Sequence, residues 1–401
     1  MPAPPALFSP IQVGNIKLAH RVVLAPLTRF RNDDAHVPTD LGVEYYTQRA
    51  SVPGTLLIAE STLISPEASG ISNAPGIWND AQVAAWKKIV EAVHAKGSYI
   101  YLQLGAMGRA ARPHVLLKEF PDAPFAAPSP TPLKSQPEPV PRELTKDGVH
   151  FPFPSDPIKR LLLSKCWREA SIYLHITYAE IKQYAEWFAT AARNAVEGAG
   201  FDGVEVHGAN GYLVDQFLQD VSNTRTDEYG GSIENRARFV LEVMDAIVAA
   251  VGATKAAIRL SPWSTYQDMR MEDPIPQFTY LVDELRQRHP NLAYLHVVTP
   301  NVPFAKGPED ESQTHFIHRL WAPRPVITTG GYNRESALEV AEETGQLVGY
   351  GPLFLANPDL PFRLREDLPL NTPDPSTFYT RLSEKGYTDY PFSEEFLKSQ
   401  V

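Results

Sequence analysis

Apolar residues along the chain follow a repeating two-beat pattern. A short run rich in Val, Ile, Leu and Tyr stops at a polar residue or glycine, and a longer stretch with apolar positions three and four apart comes next. The short runs lie at 21–27 (RVVLAPL), 55–61 (TLLIAES), 99–104 (YIYLQL), 202–206, 256–261 (AAIRLS), 293–298 (AYLHVV), 325–329 (PVITT) and 347–351 (LVGYG), eight candidate strands in all. The clearest helical stretches are 80–96 (DAQVAAWKKIVEAVHAK), 180–197, 232–251, 276–288 and 334–343. Strand and helix alternating in this way predict parallel βα units of an α/β fold. Eight such units close into a single (β/α)8 TIM barrel, here covering residues 1–401. Ahead of the first strand, SPIQVGNIKLAHR turns at Gly14 and Asn15, which predicts an N-terminal hairpin closing the barrel bottom.

One region breaks the rhythm. Residues 110–177, between strand 3 and helix 3, carry many prolines (APFAAPSPTPLKSQPEPVPRELTK, then FPFPSDP) and no sustained period, which predicts a long irregular loop. The helical pattern that follows has its own start signal, a capping box from Thr177 to Glu180 (TYAE).

Composition narrows the function. Hydrophobic residues at 43% and aromatics at 10% suffice for a packed core. A formal charge of −10 speaks against binding nucleic acid or an anionic membrane surface, both of which need clustered Lys and Arg. The opening MPAPPALFSPIQVG lacks the basic and apolar regions of a signal peptide, so a cytoplasmic setting is expected. The single cysteine, Cys166, excludes an internal disulfide and a four-thiolate iron–sulfur cluster.

The stretch HGANGYLVDQ (207–216), directly after the fourth strand run, is where chemistry gathers. His207 and Asn210 can donate hydrogen bonds to a carbonyl oxygen, and the Tyr212 phenol can deliver a proton. That combination suits reduction of a polarised double bond, although an isolated HxxNxY is explained as well by packing at a strand end. The segment NTRTDEYGGSIENRARF (223–239) continues from it without a break. Together the two resemble the Old Yellow Enzyme family of flavin-dependent ene-reductases, in wording close to the fungal members.

The resemblance implies an FMN cofactor, NADPH as co-substrate and a small enone or enal as substrate. It assigns catalysis to His207, Asn210 and Tyr212. It places Ala25, Pro26, Thr28, Ser61, Gln103 and Arg259 against the flavin ring and Gly330, Gly331 and Gly351 at its phosphate. Tyr387, Phe316 and Tyr266 become substrate-pocket walls beside His207 and Asn210. Thr28 read alone is equally a turn hydroxyl, and aromatics placed like Phe316 and Tyr266 are more often core residues.

The chain also departs from its relatives. Pro352 follows Gly351 where the family commonly has a phosphate-gripping Arg, and a proline has neither the guanidinium nor the backbone N–H. Gly105 and Ile71 stand at two positions that are often aromatic, which implies a roomier pocket. Residues 148–179 are an excess of 32 over the family's spacing, readable as a lid-like excursion or as a gene-model artefact such as translated intron. Two other functions stay open. A redox-neutral isomerase is one, although the ergot-alkaloid subgroup that behaves so has Phe at the Tyr212 position; a catalytically silent binding barrel is the other. The pattern leaves the oligomeric state open.

Overall fold

The computed structural model describes residues 4–144, 180–300 and 315–400. Eight strands form a closed barrel: β1 (Val22–Leu24), β2 (Leu56–Leu63), β3 (Tyr99–Gly105), β4 (Gly203–Gly208), β5 (Ala256–Leu260), β6 (Tyr294–Val298), β7 (Val326–Thr329) and β8 (Leu347–Tyr350). Each pairs in parallel with its neighbours in chain order, and β8 closes on β1 through Val348 to Val22 and Tyr350 to Leu24. All eight candidate strands are therefore strands of one sheet.

Around them run α1 (Asp40–Arg49), α2 (Asp80–Ala95), α3 (Glu180–Arg193), α4 (Ile233–Val251), α5 (Ile275–Arg288), α6 (Phe316–Trp321), α7 (Arg334–Thr344) and α8 (Leu360–Glu366). Local chemistry starts several of them. Asn79 and Gln82 form a reciprocal capping box at α2, Asn333 and Ser336 form another at α7, and the Ser232 hydroxyl accepts from the Asn235 N–H at α4. The expected cap at Thr177 lies outside the described residues. Within them, Glu180 is held by both ends of the Arg142 guanidinium, which ties the loop to the first turn of α3.

The core has two layers. The larger lies between strands and helices and includes Trp86, Phe188, Phe217, Phe239 and Trp321. The smaller fills the lower barrel with Val23, Leu56, Ile58, Tyr101, Tyr294, Ile327 and Leu347. Val13, Ile16 and Leu18 of the antiparallel hairpin (Ile11–Val13 with Ile16–Leu18) pack into that lower layer, so the hairpin plugs the floor as expected. Side chains alternate inward and outward along each strand, so residues two positions further along face the upper barrel. On four neighbouring strands those positions are polar: Gln103, Glu205, His207, Arg259 and His296.

The segment expected as an irregular loop starts at the end of β3. Its described part, 110–144, contains a helix, Pro113–Glu119, and a parallel strand pair, Ala126–Ala127 with Arg142–Glu143. Pro113 sits at the first helical position, where its missing N–H costs nothing. The excess residues 148–179 lie outside the described residues, and so does Cys166.

Candidate active site

The register of the strands gathers the upper-barrel polar groups. Gln103 is paired with Glu205, His207 with Arg259, and Arg259 with His296, which places them on the adjacent strands β3 to β6. The Gln103 Nε2 donates to Glu205 Oε1 at 2.7 Å, and Glu205 Oε2 lies 2.8 Å from His296 Nδ1. His296 Nε2 in turn lies 3.3 Å from Thr329 Oγ1 at the end of β7.

One charge balance fits this chain. Burial works against an ionised Glu205, but His296, Arg259 and the Gln103 amide outweigh it and hold its carboxyl below the ordinary range. His296 is brought down, chiefly by burial. Glu205 is thus the anion, held by His296 and the Gln103 amide, with Arg259 the compensating cation on the next strand. Neither Glu205 nor His296 stood out in the sequence, although Glu205 lies two residues before His207 and His296 interrupts the apolar run AYLHVV.

His207 is the penultimate residue of β4 and is 4% exposed. Burial, with Arg259 and His296 adding to it, holds its ring well below the usual imidazole value, so it is a neutral hydrogen-bonding group. Its ring centroid is 4.8 Å from that of Tyr212 at a 50° tilt. Between them Asn210 adopts a left-handed backbone, φ 58°, and Gly211 follows at φ 76°. The Asn210 N–H donates to Ser261 Oγ at 2.7 Å, and the Gly211 N–H donates to Asp215 Oδ2 at 2.8 Å. Burial pushes the Tyr212 phenol upward, so it keeps its proton. Tyr212 packs on a satellite cluster of Leu63, Ala74, Met107 and Ala111, on which Ile71 also rests.

Three observations mark the mouth as built for a ligand. The buried Arg259 Nε and His207 Nδ1 have no hydrogen-bond partner among the described residues, a costly condition unless a ligand supplies one. Strand β2 shifts register between Ala59 and Thr62, which turns Ser61 inward. A Cβ built on Gly105 would meet Ser61 Oγ at 2.4 Å and His207 Cβ at 3.9 Å, so Gly105 keeps that corner clear of side chain. Gln103 is fixed with its amide nitrogen on Glu205, which leaves its carbonyl oxygen for a ligand.

Ala25 and Pro26 are buried at the end of β1, where the Ala25 N–H donates to the Tyr350 carbonyl at 3.0 Å, and Thr28 follows half-buried. Gly330 and Gly331 leave β7, and Gly351 leaves β8. Gly331 has φ 76°, and a Cβ on Gly330 would collide with Thr299 Oγ1, so the backbone turns tightly there. Pro352 is exposed at the first position of the helix Pro352–Ala356.

The expected pocket walls are not all brought to the mouth. Tyr387 is 1% exposed and stacked on Tyr45, centroids 4.2 Å apart, with the Arg29 and Arg31 guanidiniums each 5.0 Å from its ring. Its hydroxyl is directed toward Gly42 of α1, so it is a core residue. Phe316 opens α6 and packs edge-on against Trp263 at 6.0 Å, also within the core. Tyr266 is 47% exposed and lies near Tyr212. The tyrosine that the C-terminal segment does bring there is Tyr379, 64% exposed, 5.6 Å from the Phe30 ring and close enough to Tyr212 and Tyr266 to weigh on both phenols. The two tyrosines stand eight residues apart in FYTRLSEKGY, and nothing in their local pattern separates the buried from the exposed one.

A parallel barrel with a polar upper layer and unsatisfied polar groups at the C-terminal ends of its strands is the frame of a TIM-barrel enzyme whose site opens at that face. The chain belongs to the NADH:flavin oxidoreductase / NADH oxidase family, whose sequence model matches residues 6–371. Among its relatives are a chanoclavine-I aldehyde reductase of Penicillium roqueforti, 47% identical over 98% of each chain, and an aldehyde reductase of a Cladobotryum species, 46% identical over 98% of this chain and 96% of that one. A protein of Claviceps fusiformis described as a probable inactive dehydrogenase is 43% identical, again over 98% and 96%. Among solved structures, the Old Yellow Enzyme of Pichia sp. AKU4542 superposes with a TM-score of 0.79 at 41% identity, covering 97% of this chain and 94% of that one. Morphinone reductase gives 0.83 at 38%, covering 98% and 97%. The protein is accordingly an FMN-dependent, Old Yellow Enzyme-like oxidoreductase that takes its electrons from a reduced nicotinamide.

Proposed function

We propose that the enzyme reduces the C=C bond of an α,β-unsaturated carbonyl compound with NADPH as electron donor, with His207, Asn210 and Tyr212 as its catalytic residues. The observation that carries this reading is one short turn holding a neutral imidazole with an unsatisfied nitrogen next to a protonated phenol. Bound FMN supplies hydride to the β-carbon. The chain's part is to hold the substrate oxygen with hydrogen bonds from His207 and the Asn210 amide, which stabilise the negative charge that develops on it. Tyr212 then gives its proton to the α-carbon, so hydride and proton together saturate the bond.

On the cofactor side, Gln103 offers a fixed carbonyl acceptor to the pyrimidine edge of the ring, and Arg259 offers positive charge where the reduced ring is electron-rich. Ala25, Pro26, Thr28 and Ser61 line the ring's other contacts, and Gly330, Gly331 and Gly351 receive the phosphate. A cytoplasmic location fits a chain whose single cysteine can form no internal disulfide; no helix among the described residues is long and apolar enough to cross a membrane. A role in secondary metabolism fits the names of the fungal relatives.

Pro352 favours one second reading, a silent barrel that retains too little flavin to turn over. NADPH consumption with a panel of enones and enals, assayed with added FMN, tests the proposal. Stoichiometric loss of NADPH with formation of the saturated carbonyl supports it. Protein that gains no flavin absorbance with excess FMN supports the silent barrel, and turnover without NADPH loss would mean isomerisation.

A further inference from the structure

The turn that carries the proposed catalytic groups takes its shape from side chains, which bind all four main-chain polar atoms of Asn210 and Gly211. Ser261 Oγ accepts from the Asn210 N–H at 2.7 Å, and Gln267 Nε2 donates to the Asn210 carbonyl at 2.9 Å. Asp215 Oδ2 accepts from the Gly211 N–H at 2.8 Å, and Gln216 Nε2 donates to the Gly211 carbonyl at 2.7 Å. Both backbones are left-handed, and at a non-glycine residue such as Asn210 that conformation persists only where its surroundings enforce it.

Asp215 stands apart among the four. It lies on the short helix Leu213–Leu218, directly after Tyr212, and its side chain is fully buried. Its second oxygen, Oδ1, accepts from Gln219 Nε2 at 2.8 Å. The Gln219 amide cannot turn round, because its Oε1 already accepts from the N–H groups of Arg270 and Met271 at 2.9 and 3.1 Å. Each oxygen of Asp215 thus faces a group that can only donate, and only a carboxylate accepts from both. An Asn at this position would set its NH2 against one of the two donors, and a protonated carboxyl would set its O–H there.

We infer that Asp215 is the positioning residue of the catalytic turn: its carboxylate fixes the Gly211 peptide, which joins Asn210 to Tyr212, and through Gln219 ties that peptide to the loop after β5. The spacing between the amide that holds the substrate oxygen and the phenol that delivers the proton is therefore set by one buried anion. Burial pushes its carboxyl up to about 7, although both hydrogen bonds and the Arg109 guanidinium on the loop after β3 oppose this. The anion that locks the turn is complete above that value and is lost as the pH falls through it. The inference rests on the ene-reductase reading above.

Full-length, FMN-loaded Asp215→Asn is compared with wild type after anaerobic reduction by dithionite. Reoxidation is followed with ferricyanide, which takes electrons only, and with 2-cyclohexenone. Flavin affinity and the ferricyanide rate should stay within about twofold. The limiting rate with the enone should fall by about 10- to 100-fold at pH 8, the scale of one hydrogen bond to a charged group. In wild type that rate should drop as the pH is lowered from about 8 to 6; in Asp215→Asn it should be level, and the ferricyanide step level in both. Gln219→Leu, which removes the second donor, should show a smaller loss in the enone step alone. In an Asn210→Ala, Tyr212→Phe background Asp215→Asn should add nothing further. The inference is overturned if Asp215→Asn and Gln219→Leu both reoxidise with the enone at the wild-type rate, or if flavin affinity and the ferricyanide rate drop together with it. It is equally overturned if the wild-type fall with pH is absent or persists in Asp215→Asn, or if Asp215→Asn costs as much without Asn210 and Tyr212 as with them. Wild-type enzyme inert to enones but reoxidised by ferricyanide would instead remove the ene-reductase reading beneath it.

Discussion

Gln103 and Glu205 face each other across β3 and β4, both about 1% exposed or less, joined by a 2.7 Å bond from the amide nitrogen to the carboxylate. A free amide can present either end to a ligand; this one is committed, because only its nitrogen can satisfy an acceptor-only carboxylate. Glu205→Gln removes the anion that balances Arg259 and lets the Gln103 amide turn round. We expect FMN affinity to fall by about tenfold, measured by quenching of flavin fluorescence, and the FMN-free protein to lose about 3 kcal/mol in denaturant melts, the scale for breaking a buried charge pair. Unchanged flavin affinity would mean that Gln103 is not oriented by Glu205.

Tyr212→Phe removes the proposed acid and leaves the ring packing on its cluster. Enone reoxidation of reduced enzyme should slow by about 100-fold or more, within the range for general acid catalysis, while reduction by NADPH keeps its rate. Rapid-mixing absorbance of the flavin separates the two steps.

The pH profile follows from His207. Its ring is held well below the usual imidazole value, so it is already neutral throughout the range above about pH 6 and gains no proton there. Burial pushes the Tyr212 phenol up, so it stays protonated above neutrality. His207 and Tyr212 should therefore put no limb on the enone step between about pH 6 and 8; the group on the turn that can titrate there is Asp215, whose carboxyl burial pushes up to about 7. A titration near 6.5 that persists in Asp215→Asn would assign His207 a charged role that its burial opposes.

Pro352 leaves the phosphate end of the site without a side-chain cation at that position and without its own backbone donor. Wild-type protein is expected to lose FMN on dilute dialysis, and Pro352→Arg to bind it at least about tenfold more tightly, the worth of one charge-assisted contact. Equilibrium dialysis of both proteins reads this directly. Stoichiometric flavin in dialysed wild type would show that the glycine turns suffice.

The barrel was legible because each strand is a short apolar run bounded by polar residues, and eight such runs admit few other closures. Three of the eight helices were not. α1, DLGVEYYTQR, carries a glycine and buries Tyr45, Tyr46 and Arg49, so its buried face is aromatic and cationic and shows no aliphatic period. α6 has six residues and α8 seven, too few for a period to register. The closeness of His207 and Tyr212 was legible, because both stand in one compact run of the sequence. Glu205 and His296 were not, since their meaning lies in pairing across strands 91 residues apart in sequence. Tyr387 was misplaced for the same reason: its burial is set by Arg29, Arg31 and Tyr45, far away in the chain.

The central claim is that three groups on the turn after β4 turn a reduced flavin against a polarised alkene. Its most direct test is anaerobic reduction of the FMN-loaded protein by NADPH, followed by one equivalent of an enone. Bleaching of the flavin by NADPH, then full return of its colour with one equivalent of saturated ketone, is the predicted result. A flavin that NADPH bleaches but no enone restores, while ferricyanide does, would contradict it.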